Sequence, residues 1–531
     1  MRPKSATFAT ALLVTTLATA AWAQDLGRVH IETSCTPQAQ DKFDRGLAMV
    51  HSFFFPDSIQ AFIEAAAADP QCAIAYWGIA ISSRPNPLIL PLTAAVLKKG
   101  LEAVEKGNSI GAKTERERDW LAAIELYYRD YDKVDQTTRG LSYEKAMEKL
   151  AQKYPDDPEA AAFYALALNE TALPSDKTYA NQIKAGAILE KVAATLPEHP
   201  GMLHYLIHSY DYPPLAGRGL DAANKYAAVA PAAQHAQHMP AHTYSMIGLW
   251  AQSVASNTKS RAIAQQQAAK LWPGATHPSE PHHLDFMVYA LLQMGQEGRA
   301  KQLRDDSTAV KKLGFEYLAS YTALAAIPAR FALERQAWKE AAALEPRGSQ
   351  FPQAEAITRF ARAIGLARSG DLAAAGREVD GLKDLRASLE RVNQAYWAEQ
   401  VEVQMLAASA WIAQTKGEKE TALKLMRTAA DLEDNSEKHI AMENRLYPMR
   451  ELLGDLLLEQ QQPGPALTEY EASLVSTPNR LRGLYGAAKA AKAVNQPEKA
   501  MACFRKLAEM TKDADVSRVE ISEARTPLMQ R

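Results

Sequence analysis

Cysteine is scarce in this 531-residue chain, with three in all, and neither sign of charge forms a long run. Beta-branched runs are few, and beyond the N-terminus no segment is long and apolar enough to span a bilayer. Each shortage excludes something. With 60 basic against 62 acidic residues and a net charge of -2, nothing points to a nucleic-acid groove or a polybasic membrane surface. The lack of a later apolar span leaves the mature chain without a stable membrane anchor. G-x-S-x-G, P-loop, dinucleotide and C-x-x-C signatures are all missing, so the common catalytic templates do not apply and thiol chemistry has little to work with. What remains is 47% apolar residues with abundant alanine, a composition that favours an all-α fold.

The N-terminus carries Arg2 and Lys4, an apolar stretch from Ala6 to Ala21, and Ala21-Trp22-Ala23 ahead of Gln24. This order reads as a secretory signal peptide over residues 1–23, cleaved after Ala23, and predicts a periplasmic or secreted protein. A membrane anchor is the competing reading, opposed by the shortness of the apolar stretch. In an oxidising compartment Cys35 and Cys72 are candidates for a disulfide tying the N-terminal segment to the second helical hairpin. Cys503 sits in a helical pattern and reads as a small apolar residue.

A period of 34 residues is plain near the C-terminus, where Ala466, Tyr470 and Ser473 are matched by Ala500, Phe504 and Leu507. Small, aromatic, small or apolar at i, i+4, i+7, with Pro478 following, is the second-helix pattern of a tetratricopeptide (TPR) unit. The small residue lets paired helices approach, and the aromatic fills the gap between hairpins. Weaker copies recur upstream, as at Ser58, Phe62, Ala65 and Ala422, Met426, Ala429, giving about nine or ten hairpins. Glycines at 217, 248, 295, 370 and 417 precede several second helices, where a left-handed residue ends the first helix. The expected fold is a right-handed TPR-like helical-hairpin α-solenoid, continuous over residues 24–531, with regular C-terminal repeats at 440–515. Arg84 to Pro91 and Trp272 to Pro281 are too rich in proline for continuous helix and read as connections.

Of twelve histidines, nine fall between His199 and His283. His204 and His208 are four apart, as are His238 and His242, while His282, Asp285 and Tyr289 are spaced by three and four. Such spacings put side chains on one helix face. Counting back from Gly248 and Gly295 aligns His235, His238, His242 with His282, Asp285, Tyr289 at the positions that face the concave groove in TPR units. Adjacent first helices lie about 8–10 Å apart, close enough for ligands from two of them to meet. Three readings compete for this His-rich region, residues 199–295. One is a metal site for copper, iron or zinc, with His204, His208, His238 and His242 as ligands and His282 and Asp285 next. Another is a hydrogen-bonding ligand groove including His235, Tyr244 and Tyr289. The last is a purely structural role. Pro240, between His238 and His242, occupies a first turn or kinks the helix and re-aims the rings.

Elsewhere His51 reads as a core histidine, Arg330 and Glu334 as an i, i+4 ion pair, and His439 with Glu443 as surface or cap residues.

Phe43-Asp44-Arg45-Gly46-Leu47, Asp69-Pro70-Gln71-Cys72-Ala73-Ile74-Ala75-Tyr76-Trp77-Gly78, His238-Met239-Pro240-Ala241-His242 and Arg450-Glu451-Leu452-Leu453-Gly454-Asp455 resemble a group of bacterial exported TPR-repeat proteins. The resemblance covers nearly the whole mature chain. It implies a TPR fold and export but carries no established activity. The expected function is therefore a periplasmic TPR-repeat protein with a His-rich metal or small-ligand site in its groove. The alternatives are a scaffold that binds a peptide or partner protein in the groove without metal, and a metal-dependent hydrolase or oxidase built on the same site.

Overall fold

A computed structural model describes residues 25–529, and among these the regular elements are all helices. The expected signal peptide, residues 1–23, lies outside the described residues. Consecutive helices pair as hairpins, from Pro37–His51 with Phe55–Ala68 through to Leu481–Ala493 with Pro497–Met510. First helices also touch the first helices of neighbouring hairpins: Glu280–Gln293 meets Leu318–Leu333, which meets Pro352–Ser369, which meets Ala395–Lys416. A stack whose first helices crowd together curves with those helices inside. This is a TPR-like α-solenoid.

Local sequence explains the element ends. Proline opens the first turn of Pro158–Thr171, Pro200–Tyr210, Pro352–Ser369 and Pro497–Met510, where its missing N–H costs nothing. Gly248, Gly295, Gly370 and Gly417 have φ of 71°, 69°, 90° and 84°, the left-handed turn expected of them, whereas Gly217 lies inside the short 3-10 turn Ala216–Gly219. Between hairpins the aromatic does fill the gap. A Cβ on Gly486 would stand 2.3 Å from the Tyr470 ring, and one on Gly454 2.8 Å from its other side. The stretches at Ser83–Thr93 and Trp272–Ser279 are non-helical. Cys35 and Cys72 are joined in a disulfide, and Cys503 is a half-buried free thiol.

The stack closes on itself. Trp250 Nε1 donates to the Asn479 carbonyl at 2.8 Å, the Leu481 amide to Gln293 Oε1 at 2.9 Å, and the Asp515 amide to the Gly295 carbonyl at 3.2 Å. The segment Ser436–Pro448, irregular apart from the turn Ile440–Met442, then crosses the inner face. Its Glu437 amide donates to the Pro174 carbonyl at 3.1 Å, its Ala441 carbonyl accepts from Thr322 at 2.8 Å, and its Asn444 and Arg445 carbonyls accept from Arg330 at 3.0 and 2.7 Å. The regular C-terminal helices therefore begin at Met449 rather than at 440.

Candidate metal centre

Six histidines converge from adjacent first helices. Helix Pro200–Tyr210 supplies His204 and His208, one turn apart, with ring centroids at 4.7 Å. Next to it, the chain over 234–246 is broken in two by Pro240, which cannot donate to the helix ladder: Gln234–His238 ends and Pro240–Met246 begins. From these pieces come His235, His238 and His242. The following first helix, Glu280–Gln293, adds His282.

The rings sort into two triads rather than one shared set. In the first, His204, His208 and His235 each bring a nitrogen within 4.8 Å of the others, and Nε2 of His235 lies 3.1 Å from Nε2 of His204. In the second, His238, His242 and His282 do the same, with Nε2 of His242 at 2.9 Å from Nε2 of His238. The triads adjoin, with ring centroids 6.2 Å apart between His208 and His242 and 6.0 Å between His235 and His238. One phenyl ring packs on each: Phe53, itself in the left-handed region at φ 50°, on the first, and Phe286 on the second.

The opposite edges of three of these rings are anchored. Nδ1 of His204 donates to the His51 carbonyl at 2.6 Å, and Nδ1 of His238 to Asn257 Oδ1 at 2.6 Å. Asn257 is fixed in that orientation because its Nδ2 donates to the Ser253 carbonyl at 3.0 Å. Nδ1 of His242 faces Asp211 Oδ2 at 2.7 Å and Glu443 Oε2 at 3.1 Å. With their Nδ1 protons spoken for, His204 and His238 present Nε2 lone pairs to the Nε2 atoms of His235 and His242. That is the arrangement of metal ligands held by an outer layer of carbonyl and carboxylate groups. Two nitrogens on one zinc- or copper-sized ion at about 2.0–2.1 Å each would stand roughly 3.3 Å apart, close to the separations seen.

Charge supports the same chemistry. Burial, then neighbouring imidazoles, holds His204, His208, His235 and His238 well below the usual histidine range, and the same causes bring His282 down to about 3. These rings are neutral, the form that binds metal. His242 differs. Burial works against its charged form, but the Glu443 and Asp211 carboxylates outweigh burial and raise it to about 9. Without a cation its Nε2 carries a proton donated to His238; a bound metal would take that proton's place. Lys438 closes the anionic side, 2.9 Å from Asp211 and in contact with Glu443.

Three expected site residues stand elsewhere. Asp285 forms an ion pair with Arg330 at 3.1 and 3.2 Å, and the Tyr289 hydroxyl accepts from Arg480 at 3.0 Å. Both follow from helix rise. At about 1.5 Å per residue, positions three and seven beyond His282 lie some 4.5 and 10 Å along the axis, opposite the arginines of other hairpins. Tyr244 turns outward to Asn224 at 2.9 Å. Nor do Arg330 and Glu334 pair with each other, since Glu334 lies 2.7 Å from Arg480. His51 and His199 share Glu159, at 2.7 and 2.8 Å, in a buried group behind the first triad. His439 caps the turn Ile440–Met442, whereas Glu443, expected at the surface or a cap, is buried against His242. Asp211, Asn257 and Lys438 were not expected at the centre, and Glu443 was expected only as the i, i+4 partner of His439; of the first three, Asp211, three residues past His208, left a spacing signal.

A cavity of about 450 Å³ adjoins the centre, with His208, Asp211 and Lys438 in its wall beside Leu88, Tyr212 and Trp397.

No family model matches the sequence, and no curated protein does. Solved structures similar to it include Naa15/Naa10 bound to HypK-THB, at 13% identity over 93% of this chain and 91% of the other, with a TM-score of 0.25. The human IFIT1 dimer with m7Gppp-AAAA matches at 11% identity over 82% and 90%, TM-score 0.33. A monomeric IFIT1 mutant with Gppp-AAAA matches at 12% identity over 89% and 100%, TM-score 0.36. At such scores the fold assignment rests on the chain's own helix pairing.

Proposed function

We propose that this chain is an exported metalloprotein in which the two histidine triads hold two transition-metal ions side by side on the inner face of a TPR-like solenoid. The observation that carries the reading is the pair of opposed Nε2 contacts, 3.1 Å in one triad and 2.9 Å in the other, with anchored Nδ1 edges. A purely structural histidine cluster would leave no buried ring nitrogen unpaired, whereas His208 Nε2 is buried without a hydrogen-bond partner. An all-imidazole set suits copper, zinc or iron. Three protein ligands per ion leave a coordination position open, as hydrolytic or oxidative chemistry requires. The scaffold alternative fares less well here, because the chain's own segment Ser436–Pro448 lies across the inner face where a peptide would dock.

The test is metal analysis of the exported protein, produced without a polyhistidine tag. The expected result is about two ions per chain, falling to about one in His238→Ala/His242→Ala and in His204→Ala/His208→Ala. Absence of stoichiometric copper, zinc or iron after loading with each would refute the reading. Sequencing the exported protein from its N-terminus should begin at Gln24.

A further inference from the structure

The cavity of about 450 Å³ has the size of a small-molecule site and is built by distant parts of the chain. Its wall draws on the loop after Ile74–Ser82, the ends of Pro158–Thr171 and Pro200–Tyr210, the start of Ala395–Lys416, and the crossing segment at Lys438–Ile440. Two of its wall residues belong to the histidine centre: His208 is a member of the first triad, and Asp211 holds His242.

The lining narrows the ligand. Among the described lining residues Lys438 is the one lysine or arginine, and its ammonium is already committed to Asp211 and Glu443. Nothing is left to receive an anion. The carboxylates in the wall, Glu170 and Asp211, each have a cation partner, Arg84 at 2.8 Å and Lys438 at 2.9 Å, so a free cation gains little as well. A neutral molecule is favoured. Tyr212, Tyr396 and Trp397 offer ring faces, and leucines at 88, 90 and 173 add apolar surface. The polar atoms next to the centre are carboxylate oxygens and an imidazole, which accept hydrogen bonds from a hydroxyl.

We infer that this cavity binds a small neutral hydroxylated aromatic molecule, a phenol in chemical class, with its hydroxyl directed to the His208–Asp211 wall of the metal centre. The inference rests on the metal reading for its function but not for the existence of the pocket.

Gly140 makes the pocket testable. It lines the cavity from helix Gln136–Lys153, and a Cβ there would meet only Thr171 Cγ2, at 3.8 Å. Gly140→Phe should therefore fill the space without displacing the backbone, and Thr137→Trp, at an exposed lining position, provides a second obstruction. The probe is 4-methylphenol, titrated into the mature protein loaded with cobalt(II) and into the stripped protein, by calorimetry and by the cobalt ligand-field spectrum. Expected are saturable binding and a spectral change in the wild type, with affinity reduced at least tenfold in both variants while cobalt content stays at two per chain. Cobalt loading without 4-methylphenol binding, binding that neither variant weakens, or binding that leaves the spectrum unchanged would overturn the inference and leave the metal reading standing. Variant-sensitive phenol binding by a protein that takes up neither cobalt nor copper, zinc or iron would support the pocket and remove the metal centre.

Discussion

The His-rich central hairpins and the C-terminal hairpins bury polar side chains on the same inner face in opposite ways. Toward the C-terminus the groups neutralise one another. Arg480 is fully enclosed by Glu451 at 2.6 Å, Glu334 at 2.7 Å and the Tyr289 hydroxyl at 3.0 Å, while Arg482 donates to Tyr447 at 2.7 Å and lies 3.2 Å from Asp455. In the central hairpins His204 and His238, their Nδ1 edges anchored, turn Nε2 lone pairs to the rings of His235 and His242. One region is a closed ionic network that holds the stack shut; the other, in the function proposed above, is completed by metal. Position in the repeat does not decide this. Residue chemistry does.

The largest expected effect comes from opening the closed network. Arg480→Ala leaves Glu334 and Glu451 buried without their cation, which should cost roughly 3–5 kcal/mol in chemical denaturation and leave metal binding per folded chain intact. A loss below about 1 kcal/mol would mean that the C-terminal network is as incomplete as the central one. Next in size is the effect of metal on the central region. At free metal about 10 times Kd, linkage predicts roughly 1.4 kcal/mol of stabilisation per site, and so about 2.8 kcal/mol for the wild type with two. Chelation should remove it, and His238→Ala/His242→Ala should show about half. Equal melting of loaded and stripped wild type would contradict the contrast.

Acid titration separates the regions by sign. His277, near the start of the central helix Glu280–Gln293, is lowered to about 4 by burial. Between that value and the ordinary 6.5 the unfolded chain binds more protons, so the contribution of His277 to stability is present at neutral pH and lost as pH falls through this window. His277→Gln should remove a dependence on the order of 3 kcal/mol. Glu451 is shifted the other way, raised by burial and by Glu334 against the pull of Arg480. Here the folded state keeps its proton longer, so stability falls as pH rises from the ordinary 4.5 toward neutrality, and Glu451→Gln should flatten that slope. Unfolding free energies of the two variants and the wild type between pH 4 and 8 check both signs.

Much of this contrast was legible in the residues. The 34-residue pattern at Ala466, Tyr470 and Ser473 reports a contact between sequence neighbours, and Tyr470 packs between Gly454 and Gly486 as that pattern requires. The i, i+4 pairs His204/His208 and His238/His242 are equally local. Extending the register from His282 to Asp285 and Tyr289 failed because helix rise carries those side chains to Arg330 and Arg480, whose positions depend on closure of the whole stack. The same closure brings Glu443 and Lys438 to His242 across some 200 residues of chain. Spacing rules reach one or two turns, so partners supplied by superhelical curvature leave no mark in them.

The smallest predicted effect isolates the cavity from both networks. Gly140 lies inside helix Gln136–Lys153, buried, with open space on its side-chain face apart from Thr171 Cγ2 at 3.8 Å. Alanine at this site removes the entropy cost of a helical glycine without a clash, so Gly140→Ala should stabilise the protein by about 0.5–1 kcal/mol. The methyl group is too small to close a cavity of about 450 Å³, so neither metal content nor phenol affinity should change appreciably. A destabilising Gly140→Ala would mean that the wall of the cavity is packed at this point. The weakened phenol binding expected of Gly140→Phe would then report a distorted helix rather than a filled pocket, and Thr137→Trp alone would carry that test.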